Sequence, residues 1–184
     1  GTLHYYAGDL VETVKTASNG IAFSKELYFG KYKVLESESP SGYKLDTEEH
    51  VIELKYKDQE TQVVIEELKV KDEPNIIYIE KIDSNKKEKL IGATLQLLDL
   101  EGNIVDEWIT GSERHKIEYL SVGTYILHEK ECPEGYLLAE DISIEYNGGI
   151  INTPFVMEDV PVVVKFKKID ANTREDLPGA TLQL

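Results

Sequence analysis

The sequence predicts an all-β protein built from tandem β-sandwiches, and the first evidence is an alternation of apolar and polar residues. Runs rich in Val, Ile, Tyr and Thr alternate in this way between turns rich in Gly, Asn, Asp, Ser and Pro. A period of two residues is typical of strands with one buried face. No amphipathic helical period of useful length occurs, and strands at this spacing indicate small β-sandwiches.

The second evidence is an internal repeat with a constant offset. The stretch Ile76–Asp83 has the same plan as residues 162–170, and the eight residues that begin at Leu90 match the last eight of the chain. The lysine of this stretch, Lys81, recurs 87 positions later as Lys168. A repeat of this kind implies that one structural unit recurs along the chain.

The first unit is predicted to span residues 1–74 and to lack its opening strand. Its fourth strand ends at Glu36 and is followed by a loop over residues 37–43. The predicted strands are Thr2–Tyr6, Leu10–Thr16, Ala22–Leu27, Phe29–Glu36, Val51–Tyr56 and Gln62–Lys71.

The second unit is predicted to span residues 75–161 and to repeat this order with one strand added in front. Residues 162–184 are predicted to open a third unit, so we expect the chain to be a piece of something longer. The predicted strands of the second unit are Ile76–Asp83, Thr94–Leu98, Asn103–Thr110, Lys116–Leu120, Val122–Glu129, Ile142–Tyr146 and a last strand that runs through Met157.

The amino-acid composition limits the kinds of molecule that this chain is expected to bind. The formal net charge is −15, from 20 Lys and Arg against 35 Asp and Glu, which argues against binding to nucleic acid or anionic membranes. The single cysteine, Cys132, excludes a disulfide within the chain. No stretch is long and apolar enough to predict membrane insertion. The four histidines lack metal-ligand spacing, and no metal or cofactor is predicted.

Three ionisable residues of the second unit fall on predicted apolar strand faces. Lys81 shares a face with Ile77 and Ile79, while Glu129 and Asp159 continue apolar faces of later strands. An unpaired charge in an apolar core is very costly, so each of these residues requires a partner. The opening and closing strands of a sandwich can lie side by side, which would bring the lysine and the aspartate together.

The residues alone leave two interpretations of this set. One is a buried salt-bridge network. The other is a reaction, because burial lowers the pKa of a lysine and raises that of a carboxyl group. A neutral amine that faces a polarised carboxyl carbon in a water-poor site is arranged for nucleophilic attack. With Glu129 passing the proton, the product would be a Lys81–Asp159 side-chain amide and one water.

The first unit contains two of the three residues. Glu36 and Asp72 occupy the corresponding strand positions, and Asp72 lies 87 positions before Asp159. No lysine strand precedes them in the sequence. Lys168 lies on a stretch of the required kind, so one hypothesis is that the tail of one copy completes the first unit of another through a Lys168–Asp72 bond. The alternative is plain truncation of a repeat array.

An ordered set of short motifs occurs in the second unit and partly again in the first. In the second unit the motifs are Lys81-Ile82-Asp83, Leu90-Ile91-Gly92-Ala93-Thr94, and Gly123-Thr124-Tyr125 leading to Glu129, Pro133, Gly135 and Tyr136. In the first unit they are Lys31-Tyr32 leading to Glu36, Pro40, Gly42 and Tyr43. The set resembles the SpaA/Cna B-type (CnaB) domains of Gram-positive surface proteins and pilins, and its last group is similar to the E-box of that family.

This resemblance implies a prealbumin-like sandwich and a spontaneous intramolecular isopeptide bond. Lys81 matches the bonding lysine of the family, Glu129 the proton-shuttling acid, and Asp159 the partner on the last strand. Many members use asparagine at that last position, so aspartate implies the loss of water rather than ammonia.

The leading functional prediction is a structural repeat in a stalk, pilus or fibre on a Gram-positive cell surface, whose partners are neighbouring domains or copies. Its chemistry would be self-modification without turnover. The alternative is an adhesin domain that binds a host protein or glycan, which long aromatic-rich loops would favour. A glycosidase that uses Glu129 and Asp159 as its carboxylate pair is disfavoured, since both are predicted to be buried.

Overall fold

The computed structural model describes residues 4–58 and 65–183, and it confirms an all-β fold. Within these residues there is no helix, and hence none that could cross a membrane. The described ranges contain nine strands: β1 (Gly30–Val34), β2 (His50–Leu54), β3 (Ile76–Asp83), β4 (Thr94–Leu98), β5 (Ile104–Ile109), β6 (His115–Glu118), β7 (Gly123–Glu131), β8 (Ile142–Tyr146) and β9 (Phe155–Asp159).

The chain forms two compact units. The first consists of Gly1–Ser39 and Leu45–Asp72, and the second of Pro40–Lys44 and Glu73–Leu184. The short segment Pro40–Lys44 therefore belongs to the second unit although it lies within the first in sequence. The finer division into domains 1–74, 75–161 and 162–184 stays a prediction.

The second unit is a sandwich of two sheets. One sheet has the strand order β6-β3-β9, and the other has the order β5-β4-β7-β8. β3 pairs with β6 in antiparallel fashion and with β9 in parallel fashion. The opening strand and the closing strand of the unit are therefore neighbours in the same sheet.

The hydrophobic core lies between these two sheets. Alternate residues of β3, β7, β8 and β9 point inward, as expected for a sheet with one solvated face, whereas three consecutive residues of β4 are buried. Full burial of one such aliphatic side chain contributes about 1.5–3 kcal/mol. The core residues are Ile77, Ile79, Ala93, Leu95, Leu97, Trp108, Ile117, Leu120, Tyr125, Leu127, Ile144, Tyr146 and Met157.

The first unit differs from its prediction. Its described residues form one antiparallel hairpin, β1 with β2, and the predicted strands Leu10–Thr16 and Ala22–Leu27 are not formed. Apolar side chains of both stretches are exposed: Leu10 to 83%, Val14 to 50% and Phe23 to 79%. Alternation specifies a strand only where a second layer buries its apolar face, and no such layer covers these stretches within the described residues.

Two further strand predictions in the first unit fall partly on residues outside the described ranges. These are Thr2–Tyr6, of which residues 4–6 are described, and Gln62–Lys71, of which residues 65–71 are described. Neither described part is a strand.

The segment after Pro161 is also not the predicted strand. Residues 162–168 are exposed and extend from the sandwich without a strand partner in the described part of the chain. The segment then turns at Asp170, where Ile169 forms an isolated bridge with Asp176. The apolar alternation is present, but the second strand that a ladder requires is not.

Candidate functional site

The site begins with a lysine inside the core of the second unit. β3 is the central strand of its sheet, and its alternation places Ile77, Ile79, Lys81 and Asp83 on the buried face. The side chain of Lys81 is fully buried. The sequence pattern therefore placed this ammonium group correctly among apolar neighbours.

The first partner of Lys81 comes from the closing strand. In the parallel pairing of β3 with β9, Asp83 lies opposite Asp159 and Lys81 lies opposite Met157. Lys81 reaches diagonally along the sheet, and its Nζ donates a hydrogen bond to Asp159 Oδ1. The aspartate side chain is also fully buried. Two residues that are 78 positions apart in sequence are thus in direct contact.

The third member comes from the opposite sheet. Glu129 lies on β7, on the face that carries Tyr125 and Leu127 into the core. Its Oε1 lies 3.0 Å from Lys81 Nζ, and its Oε2 accepts a hydrogen bond of 2.7 Å from the backbone N–H of Ala139. The backbone donor holds one oxygen of the carboxylate and leaves the other beside the amine.

The electrostatics of this cluster are unbalanced. One ammonium group faces two carboxyl groups in a core that excludes water, so two carboxylates cannot both be compensated. Burial raises the pKa of Asp159 to about 6; Lys81 opposes the shift, and Glu129 adds to it. Asp159 Oδ2 and Glu129 Oε1 are buried and receive no hydrogen bond, although Glu129 Oε1 is ion-paired with Lys81. Buried oxygens without a hydrogen bond are rare in folded proteins, so the cluster requires an explanation.

The arrangement contains the elements of an acyl transfer. The nitrogen of Lys81 contacts a carboxyl group whose raised pKa makes its protonated, electrophilic form more accessible. A second carboxylate lies within proton-transfer distance of that nitrogen. The groups that an amide-forming reaction would use as nucleophile, electrophile and proton carrier therefore lie together in one buried volume.

A fourth buried ionisable residue was given no role in the sequence analysis. Asp83 accepts hydrogen bonds at Oδ1 from the backbone N–H groups of Asn85 and Lys86, at 2.7 and 2.8 Å. Its Oδ2 accepts one of 2.8 Å from the hydroxyl of Tyr136. These bonds lower the pKa of Asp83. The signal was present in the sequence, because Asp83 continues the buried alternation of Lys81.

The corresponding set in the first unit is not assembled. Glu36 is half-buried, and its Oε2 accepts a hydrogen bond of 2.7 Å from the backbone N–H of Asp46. This bond is equivalent to that between Glu129 and Ala139. Asp72 is half-buried and Lys168 is exposed. Within the described residues, no hydrogen bond or ion pair joins any two of Glu36, Asp72 and Lys168.

The segments that follow Glu36 and Glu129 nevertheless have the same loop geometry. In each loop a tyrosine N–H donates to a proline carbonyl three residues earlier, at 3.1 Å for Tyr43 and 3.2 Å for Tyr136. The glycine before each tyrosine has a positive φ, 85° at Gly42 and 86° at Gly135. The E-box sequence therefore encodes the same local turn twice.

Cys132 is half-buried, and its thiol contacts the backbone oxygen of Tyr136 at 3.4 Å. In the part of the chain that the structure describes, no group of three or more His, Cys, Asp or Glu side chains could hold a metal ion.

The fold and the buried cluster define the class of this protein as a prealbumin-like β-sandwich. The sequence model of the SpaA prealbumin-like fold domain matches residues 2–69 and 75–156. The chain belongs to this family. Among curated proteins, none matches the chain significantly by sequence.

Three solved structures illustrate the similarity. The Bacillus anthracis TIE protein is 30% identical with a TM-score of 0.51, over 81% of this chain and 28% of that protein. The T6 backbone pilin of serotype M6 Streptococcus pyogenes is 31% identical with a TM-score of 0.37, over 40% of this chain and 16% of the pilin. The pilus 2b backbone protein of group B streptococcus is 22% identical with a TM-score of 0.41, over 63% of this chain and 45% of that protein. This chain therefore spans little more than a quarter of the TIE protein.

Proposed function

We propose that this chain is a structural repeat of a stalk, pilus or fibre on a Gram-positive cell surface, and that its complete unit is closed by an amide bond between Lys81 and Asp159. One observation carries the proposal. Lys81 Nζ is in contact with Asp159 Oδ1 inside a fully buried cluster, with Glu129 Oε1 3.0 Å from the same nitrogen. Membership in the SpaA family supports the structural role.

The reaction balances without any cofactor. A proton passes from the Lys81 ammonium through Glu129 to the Asp159 carboxylate, which leaves a neutral amine and a neutral carboxyl group. The lone pair of Nζ then attacks Cγ of Asp159, and a C–N bond forms. Glu129 accepts a second proton from the nitrogen and delivers it to the departing hydroxyl. One C–O bond breaks, one water leaves, and Glu129 is regenerated.

The energetic gain comes from removing charge from the core. Before the reaction, an ammonium group and two carboxyl groups share a volume that offers too few hydrogen-bond donors. After it, the lysine and the aspartate are replaced by one neutral amide, whose N–H can donate to Glu129. Since desolvated charges cost several kcal/mol each, the neutral product is favoured over the ion pair.

The position of the bond suits a protein that carries tension. β3 and β9 are the opening and closing strands of the unit and lie side by side. A covalent bond between them would transmit force from one end of the unit to the other without loading the strand hydrogen bonds. It would also replace the disulfides that a chain with one cysteine cannot form.

The intact mass of the denatured chain tests this proposal, with Lys81→Ala as the control. The wild type is expected to be lighter than its sequence mass by one water, and the variant to have its full sequence mass. An unmodified wild type would overturn the proposal in favour of a permanent salt-bridge network.

We further propose that the first unit is completed by residues 162–169 of a second copy, with Lys168 bonding to Asp72 beside Glu36. Two observations support this. Val163 in the tail is 77% exposed and Phe23 in the first unit is 79% exposed, so both carry apolar surface that burial would stabilise. The tail also already forms the turn of β3, because Asp170 accepts backbone hydrogen bonds from Asn172 and Thr173, as Asp83 does from Asn85 and Lys86.

Concentration and denaturation test the second proposal. At high protein concentration the wild type is expected to give a ladder of multimers that survives denaturant, and Lys168→Ala and Asp72→Ala are expected to abolish it. A wild type that stays monomeric at every concentration would contradict completion by a second copy, while leaving the Lys81–Asp159 bond unaffected.

A further inference from the structure

A buried carboxylate beside the proposed reaction centre takes no part in the reaction. Asp83 is almost fully buried on β3, two residues beyond Lys81 on the same face. In the pairing of β3 with β9 it lies directly opposite Asp159. A buried carboxylate is retained only where hydrogen bonds compensate its charge, and Asp83 receives three.

Two of these bonds are local and would form in any turn of this sequence. The backbone N–H groups of Asn85 and Lys86 bind one oxygen of the carboxylate, and Asp170 repeats this arrangement at the surface. The local turn therefore does not require burial. The third bond, from the Tyr136 hydroxyl to the other oxygen, is the one that joins distant parts of the chain.

The loop that carries Tyr136 contacts every element of the reaction centre. It follows β7, which bears Glu129. Its backbone also binds the segment after Asp159, since Leu137 N–H donates to Val160 O at 3.0 Å and Val162 N–H donates to Gly135 O at 2.8 Å. The Tyr136–Asp83 bond adds the connection to β3.

A further backbone hydrogen bond joins the end of β3 to Asp159. Ser84 N–H donates to the backbone oxygen of Asp159 at 2.9 Å, directly after Asp83. The Asp83 region therefore binds the backbone of the reacting aspartate, and Tyr136 binds Asp83. Tyr136 is also close enough to Asp159 for the negative charge of that carboxylate to contribute to raising the pKa of the tyrosine, after the larger effects of the Asp83 hydrogen bond and burial.

We infer that Tyr136 and Asp83 are positioning residues for amide formation: their hydrogen bond fixes the loop after Glu129 against the strand of Lys81 and so sets the distances among the three reacting side chains. The inference rests on the proposed Lys81–Asp159 bond. Neither residue touches the atoms that react. A displacement of up to about 1 Å among reacting groups slows a reaction by as much as roughly a hundredfold, so loss of this bond changes the rate.

The experiment follows the whole chain after cell-free synthesis. Samples are denatured in acid at timed intervals, and the intact mass gives the fraction that has lost one water. Fluorescence of Trp108, the single tryptophan, reports whether each variant has folded. The decisive variant is Tyr136→Phe, which removes the hydroxyl alone.

Tyr146→Phe is the matched control. Tyr146 is fully buried in the same sandwich, and its hydroxyl donates to Gly149 O at 2.5 Å, a bond that contacts no reacting residue. We expect Tyr136→Phe to slow water loss roughly tenfold to a hundredfold, and Tyr146→Phe to stay within about twofold of the wild type. Equal slowing of both variants, or no slowing in Tyr136→Phe, would overturn the inference.

A second pair of variants gives a readout that stability alone would not change. Asp83→Asn retains an acceptor for the two backbone donors and a polar group for Tyr136, so it is expected to keep a rate close to that of the wild type. Asp83→Ala is expected to be at least as slow as Tyr136→Phe, because it also removes the acceptor of the two backbone bonds. The double variant is expected to be no slower than Asp83→Ala, because both changes break the Tyr136–Asp83 bond. Additive slowing in the double variant would contradict a shared role.

The outcome for the wild type separates this inference from the proposed function. A wild type that never loses water overturns both. A wild type that loses water while Tyr136→Phe does so at the same rate overturns only the positioning role.

Discussion

The two units of this chain have the same loop geometry but different interiors. Glu36 and Glu129 each accept a backbone N–H at 2.7 Å, and a turn with proline, glycine and tyrosine follows each of them. Yet all of the buried hydrophobic residues in the described ranges lie between Ile76 and Met157, in the second unit. In the first unit, by contrast, large apolar side chains such as Phe23 are exposed.

This comparison separates the features that depend on local sequence from those that depend on β3, the strand that carries Lys81. The E-box turn needs only its own residues, so it forms in both units. The core needs β3, because that strand lies at the centre of its sheet and pairs with both β6 and β9. Lys81 thus belongs to a central strand of the packed sandwich that has no counterpart among the described strands of the first unit.

The largest expected effect comes from removing that lysine. Lys81→Ala eliminates the proposed bond and leaves two buried carboxyl groups without a cation, so the free energy of unfolding should fall by about 3–5 kcal/mol or more. Guanidinium unfolding followed by Trp108 fluorescence measures it. Lys168→Ala, which changes the exposed equivalent, should stay within about 0.5 kcal/mol of the wild type at low protein concentration. Similar losses for the two lysines would contradict the account.

The second comparison replaces each of the two glutamates, Glu129 and Glu36, by glutamine in turn. Glu129→Gln removes the proton carrier, so water loss should slow by about 10²–10⁴-fold, the range for general acid–base catalysis. Glu36→Gln alters the equivalent residue of the first unit and should leave the rate of Lys81–Asp159 bond formation unchanged. Timed intact-mass measurements follow both. A Glu129→Gln chain that reacts at the wild-type rate would exclude the proposed role of Glu129.

The third prediction concerns pH in the chain that cannot react. In Lys81→Ala, which lacks the nucleophile, the carboxyl group of Asp159 persists; burial and Glu129 still raise its pKa, which is about 6 beside Lys81, above its unfolded value. A raised carboxyl pKa stabilises the fold at pH values below the unfolded pKa, and this stability is lost as the pH rises through 6. We expect a loss of roughly 2–3 kcal/mol between about pH 4 and 7 relative to the bonded wild type. Parallel stability curves for the two chains would refute it.

The smallest expected effects on stability come from replacing each of the two E-box glycines by alanine. Gly135 has a φ of 86°, and a methyl group added there would meet only open space, so Gly135→Ala should cost about 1–2 kcal/mol of backbone strain. Gly42 has a φ of 85°, and a Cβ there would lie 2.6 Å from Tyr119 O, so Gly42→Ala should lower the thermal midpoint further. Equal thermal midpoints for the two variants would contradict this prediction, because they would show that Tyr119 can move aside without a loss of stability.

Sequence reasoning located the buried cluster because its signal combines two patterns. Alternation placed Lys81 and Glu129 on core faces, and the 87-residue repeat marked Asp159 through Asp72. The pairing of β3 with β9 followed from the general arrangement of opening and closing strands in a sandwich.

The sequence could not predict which alternating segments would become strands. Leu10–Thr16 and residues 162–169 have the required alternation but no neighbouring strand among the described residues, and a ladder depends on both partners. It also left the role of Asp83 unassigned, because its hydrogen bond to Tyr136 joins positions that are 53 residues apart. Such contacts depend on the folded arrangement of the loop rather than on local periodicity.

The most direct test of the central claim is tandem mass spectrometry of a proteolytic digest of the denatured wild-type chain. The account predicts a branched peptide in which the side chains of Lys81 and Asp159 are joined, lighter by one water than the two linear peptides together. Recovery of the two linear peptides alone, each with a free side chain, would contradict it.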